Sequence, residues 1–255
     1  MEIKKVKIID NKVNICFENY ILIIGIETYL NTKLLVGDEI DEEEVQELKK
    51  SDVQNNVRSK LIEKISRKKL SKKECESFLS EALLDNVAIN KIVNDLENNY
   101  LINDVELSEA IIDYCLINKK GINIIKKKLN ERKIEIDYDA FVDKYLDINK
   151  YQNNIKYLVD KYKKIGSKKS NKVLKMYIKN KLLENGYNIE EICDYLEFDD
   201  VDEFSSILSE VKKFFSKNIK NNENIAKITK KLLSKGFNYD IIKKAIRECE
   251  DNETY

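Results

Sequence analysis

Proline and histidine are absent from the 255 residues, and glycine occurs six times. Each absence excludes something. Without proline no helix need be broken or kinked at a fixed point, so helices can run long. Without histidine, no catalytic triad and no zinc-hydrolase site that needs one can be built. Six scattered glycines leave no glycine-rich phosphate loop. The stretch Gly166-Ser167-Lys168-Lys169 lacks the upstream glycine of such a loop and reads better as a helix stop followed by a cap. No run approaches the ~18 consecutive apolar residues of a membrane span, so none is expected. Ile21 to Ile26 is apolar but short and lies behind a charged start, so no signal peptide is expected either. The five cysteines, Cys16, Cys75, Cys115, Cys193 and Cys249, have no metal-ligand spacing. An odd, scattered set of thiols suits a reduced, cytoplasmic setting, with most of them as small core residues.

What is present is charge and repetition. Charged residues make up 36% of the chain against the ~25% usual for globular domains, and hydrophobic residues at 42% suffice for a core. Lysine, asparagine and isoleucine dominate, a bias that lowers the weight of any single lysine. The leucines Leu79, Leu129, Leu182 and Leu232 stand 50, 53 and 50 residues apart, each at the end of a helical pattern. After them come Ala82-Leu83-Leu84, Arg132-Lys133-Ile134, Asn185-Gly186-Tyr187 and Lys235-Gly236-Phe237. A period of this length marks a repeat array, whose units stack because none buries its apolar face alone.

The first 36 residues differ. Ile3, Val6, Ile8, Val13, Ile15 and Phe17 alternate with polar residues about a turn at Asp10-Asn11, which predicts a small β-hairpin with Tyr20 to Ile24 as apolar cover. Gly37 breaks the chain, and Asp38 or Asp41 caps a helix opening with Glu42, Glu43 and Glu44. A helix over 51–67 follows. Next come three-helix units that open at the Ser71/Glu74 capping pair, after Gly121 and at about Lys168, then a two-helix remainder. The expected fold is mainly α: tandem three-helix repeats in an elongated curved array, with a small N-terminal β-hairpin segment. The expected divisions are 1–50 for the β-segment and acidic helix start, and 51–120 for a linker helix and first repeat. Then come 121–166 and 167–217 for the second and third repeats, and 218–255 for a partial C-terminal repeat.

Several of these residues carry a resemblance. Arg67, Ser71, Glu74 and Leu79 are similar to the opening of the first repeat in the RecX family. Leu96, Leu101, Asn103, Asp104 and Leu107 resemble its junction, with leucine where phenylalanine is usual. Gly121, Ile125, Leu129 and Ile134 resemble its second repeat, with Lys133 where the family has glycine. The acidic N-terminal β-segment with Gly37 resembles the extension of the longer members. The resemblance implies a curved array of three-helix repeats and a cytosolic regulator. It implies binding to the RecA recombinase, in the groove of its filament on DNA, and a change in filament assembly and activity without catalysis. No cofactor is implied, and a monomer that touches DNA directly, if at all, through basic residues is expected.

The residues alone offer one candidate site. Net charge is −4 over residues 1–50, zero over 51–104 and 105–150, +5 over 151–196 and −1 over 197–255. The basic segment holds Lys161, Lys163, Lys164, Lys168, Lys169, Lys172, Lys175 and Lys179. Spacings of three and four place Lys168, Lys172, Lys175 and Lys179 on one helix face, suited to phosphates or to an acidic protein groove. A solvated face in a lysine-rich chain is the competing explanation. Tyr151, Tyr157, Tyr162 and Tyr177 interleave with these lysines and read as packing rather than base-stacking residues. A second set, Lys119, Lys120, Lys126, Lys127, Lys128, Arg132 and Lys133, ranks behind because acids balance it. Asp199, Asp200, Asp202 and Glu203 read as a capped helix start rather than an acid–base or metal site. The alternative to a filament regulator is a generic helical-repeat scaffold that binds protein and no nucleic acid. An enzyme is the least favoured reading.

Overall fold

The computed structural model describes residues 1–197 and 202–251. Three strands come first: β1 (Lys5–Ile9), β2 (Lys12–Cys16) and β3 (Ile21–Gly25). They form an antiparallel sheet in the order β1-β2-β3. Asp10 and Asn11 both have positive φ, 48° and 62°, the geometry of a two-residue hairpin turn. The alternation puts Val13, Ile15, Leu22 and Ile24 on the buried face. The segment expected only to cover the hairpin is thus its third strand.

Helix α1 (Ile26–Thr32) follows at once, a correction to the non-helical reading of residues 2–36. Glu42–Arg67 is one helix, α2, and not an acidic start followed by a second helix at 51. Asp41 caps it in a reciprocal box with Glu44. Asp52 of α2 ties the sheet down, accepting from Gly25 N at 2.6 Å and Thr28 Oγ1 at 2.9 Å.

The remaining helices fall in threes. They are α3 (Lys72–Glu81), α4 (Asn86–Asn98) and α5 (Asp104–Ile117), then α6 (Ile122–Glu131), α7 (Tyr138–Tyr145) and α8 (Ile148–Ile165). Next come α9 (Asn171–Glu184), α10 (Ile189–Leu196) and α11 (Glu203–Phe215), and last α12 (Asn222–Ser234) and α13 (Tyr239–Asp251). The chain forms two compact units. One comprises residues 1–110 and 129–136, the other 111–128 and 137–255. In the first, Leu61, Leu79, Val93 and Leu96 make a core beneath α2, α3 and α4, beside the separate core of the sheet. In the second, Ile207, Val211, Ile228, Leu232, Ile242 and Ala245 join α11, α12 and α13.

Candidate functional site

The basic segment is carried by α8, α9 and the turn between them. Tyr151, Ile155, Leu158 and Val159 anchor α8, and Leu174, Ile178 and Leu182 anchor α9, leaving the opposite faces to lysine. Ser170 caps α9 through Val173 N, so the helix begins at Asn171. Lys168 and Lys169 therefore lie in the preceding turn. The single helix face predicted for Lys168, Lys172, Lys175 and Lys179 is reduced to Lys172, Lys175 and Lys179, beside the exposed Met176 and Leu183. Lys161, Lys164 and Lys168 are exposed, and Lys163 and Lys169 are half-buried. Lys169 lies over the Tyr177 ring at 5.5 Å and Lys161 over Tyr162 at 5.8 Å. Tyr162 and Tyr177 meet edge to face. Tyr151 is buried, donates to Glu191 and accepts from Ile122 N, whereas Tyr157 is exposed beneath Lys119. The packing reading of the tyrosines holds for Tyr151 and for the half-buried Tyr162 and Tyr177, while Tyr157 is exposed.

The second lysine set is engaged elsewhere. Lys120 donates to Asn185 Oδ1 at 2.9 Å, Lys126 pairs with Asp139, and Lys128 lies over Tyr114. Lys119 has positive φ in the turn after α5, and Lys127 has an interaction of its own. Arg132 falls in the other compact unit from these lysines. It holds Glu74 with both Nε and an Nη, at 2.8 and 2.7 Å, and donates to the Lys69 carbonyl at 2.5 Å. It joins the start of α3 to the turn after α6.

That join recurs, and the sequence did not reveal it. Ser71 Oγ, at the start of α3, donates to Arg132 O after α6. Gly121 N, at the start of α6, donates to Asn185 O after α9. Ser170 N, at the start of α9, donates to Lys235 O after α12. Each first helix of a repeat is thus latched to the turn that ends its counterpart in the next. The next residue in each turn, Lys133, Gly186 or Gly236, has positive φ. A further bond repeats at two of the three starts. Lys72 N donates to Asp104 and Asn171 N to Glu203, the first residues of α5 and α11. Asp202 caps α11, as expected, and Glu203 accepts from Asn171 N, which was not; Asp199 and Asp200 lie outside the described residues. Among the described residues no group of three metal-ligating side chains could hold an ion, and no helix is long and apolar enough to cross a membrane.

The latched triplets define a helical-repeat protein with one conspicuously basic repeat. No family model matches the chain. Among curated proteins, it is 27% identical over 243 residues to Regulatory protein RecX of Listeria welshimeri, covering 91% of this chain and 90% of that one. It is 24% identical over 241 residues to Regulatory protein RecX of Staphylococcus aureus strain JH9, covering 91% and 88%. A crystal structure of regulatory protein RecX superposes with a TM-score of 0.65 at 17% identity, over 76% of this chain and 98% of that one, a likeness of fold. The resemblance to the RecX family read from the motifs therefore extends along nine-tenths of the chain.

Proposed function

We propose that this protein is a non-catalytic cytoplasmic regulator of RecA. It binds the recombinase or its filament on DNA, and alters filament assembly and activity in recombination and repair. The observation that carries this reading is the similarity to proteins named Regulatory protein RecX over nine-tenths of both chains. The lysine-rich faces of α8 and α9 supply the contact. A filament of protein on DNA presents phosphates and carboxylates, and a row of lysines on one rigid face meets either.

Co-sedimentation with RecA from the same organism on single-stranded DNA, together with the RecA ATPase rate, tests the proposal. Binding and a changed rate are expected, and a protein that stays in the supernatant and leaves the rate unaltered refutes it. Replacing Lys172, which is exposed, and Lys175 and Lys179, which are half-buried, by glutamine keeps good helix formers at these positions. If these lysines meet phosphates, the slope of log affinity against log salt flattens by roughly 0.7 to 0.9 for each phosphate no longer neutralised. If the triple variant binds like the parent at every salt concentration, the face is merely solvated. Binding that persists with no salt-dependent loss at all favours the protein-only scaffold.

A further inference from the structure

The latch between Ser170 and Lys235 has a second effect. It carries the turn before α9, and with it Lys168, to the last turn of α12. There a cleft of about 420 Å³ opens, all within one compact unit, lined by Lys168, Ser206, Ser209, Glu210, Lys213, Phe214, Lys217, Asn218 and Lys231. Ser206, Ser209, Glu210 and Lys213 stand at positions i, i+3, i+4 and i+7, so α11 presents them on one face. Lys217 follows just past its end, and Lys231 comes from α12.

The charge count in this cleft is one-sided. Among the described residues that line it, Glu210 is the only acid, and it is already shared: Lys231 reaches it at 2.9 Å and Lys235 at 2.6 Å. Burial works against the charged form of Glu210, yet its hydrogen bonds to Lys235 and Lys231 hold its carboxyl below the usual carboxylate range. Lys168, Lys213 and Lys217 pair with no carboxylate among the described residues. The helix dipole accounts for a lysine in the last turn of its own helix. It does not account for lysines from three separate chain segments converging on one concavity, where they repel one another. Two serine hydroxyls stand among them as further hydrogen-bond donors, with the half-buried Phe214 ring as an apolar wall; the Asn218 amide already donates to the Phe214 carbonyl at 2.8 Å.

We infer that this cleft is a phosphate-binding site, taking either the phosphates of a free nucleotide or polyphosphate or those of a nucleic-acid backbone. Lysine ammonium groups and hydroxyl donors around a recess are the complement of a multiply charged oxyanion. The Phe214 face suits the sugar or base that such phosphates carry. The site is a property of the isolated protein, so it stands whether or not RecA is the partner.

Calorimetric titration of the full chain with inorganic pyrophosphate, with a nucleoside triphosphate and with a single-stranded oligonucleotide tests it. The same titrations are made on K168Q/K213Q/K217Q, and on K5Q/K7Q/K12Q, which removes equal charge from exposed positions on the N-terminal strands. Affinity is expected to fall about tenfold or more in the first variant, the worth of at least one charge-assisted hydrogen bond, and to hold in the second. Loss confined to pyrophosphate and nucleotide identifies a free phosphate ligand. Loss confined to the oligonucleotide identifies a backbone site. Equal affinities in parent and cleft variant for all three probes, no binding of any, or an equal loss in the strand variant overturns the proposal. Circular dichroism of the variants keeps misfolding from counting as loss of the site.

Discussion

Lys133, Gly186 and Gly236 hold the same place in three successive turns, with φ of 53°, 89° and 87°. A side chain in that region costs roughly 1–2 kcal/mol, so glycine is the relaxed choice, as at Gly186 and Gly236, and Lys133 the strained one. Lys133→Gly is expected to raise stability by up to about 1 kcal/mol in urea unfolding, because a more flexible unfolded chain offsets part of the gain. Gly121 is glycine for another reason. A Cβ there would overlap the backbone of Gly186 at the latch, where no flexible atom can yield. Gly121→Ala is expected to destabilise by about 1–3 kcal/mol, the usual cost of overpacking. Glu74 makes the first latch sensitive to pH. Burial raises its pKa, but the bonds from Arg132 and from Ser71 N outweigh this and leave it depressed. A depressed carboxylate contributes fully above its unfolded pKa of about 4.3, and the contribution is lost as pH falls through the lower folded value. Below about pH 4.3 the melting temperature of Glu74→Gln should therefore fall less steeply than that of the parent, and parallel curves would deny the pair this role.

Among elements, α3 depends on Ser71 twice. The hydroxyl accepts from Glu74 N and donates to Arg132 O at 2.6 Å. Ser71→Ala should cost about 1–2 kcal/mol, the upper part of the range for a cap, and Ser71→Thr should recover much of it. Thermal unfolding of the three proteins decides this. What the sequence disclosed at this scale was local. The Asp10-Asn11 turn, the Ser71/Glu74 box and the helix ends at Gly186 and Gly236 lie within a few residues of their effects, and all are present. Helix α1 was hidden because Ile26 to Thr32 carries no cap: Gly25 offers no side chain, and Asp52 secures the corner from α2. The start of α9 was set three residues early, at Lys168 in place of Asn171, since Lys168 fits the helical spacing but Ser170 supplies the cap. The cleft was invisible in sequence because its lysines come from three separate segments, one in the basic stretch 151–196 and two in the near-neutral stretch 197–255.

For the whole molecule, the two units are not consecutive in sequence, since residues 129–136 complete the first. A fragment of residues 1–110 leaves Ser71 and Glu74 without Arg132, and removes the buried Ile134 from its unit. A fragment of residues 1–136 keeps them. The longer is expected to melt cooperatively and the shorter at a lower temperature; equal melting would show that the latch contributes nothing to the first unit. The latches also set a schedule for the newborn chain. Ser71 waits for Arg132, Gly121 for Asn185 and Ser170 for Lys235, each more than sixty residues behind. At a translation rate of about 5–20 residues per second each repeat stays open for roughly 3 to 13 seconds after its first helix emerges. Assembly on the ribosome is therefore a running fastening, in which every repeat is closed by its successor, and a stalled ribosome leaves the last-made repeat unfastened, whichever one it is.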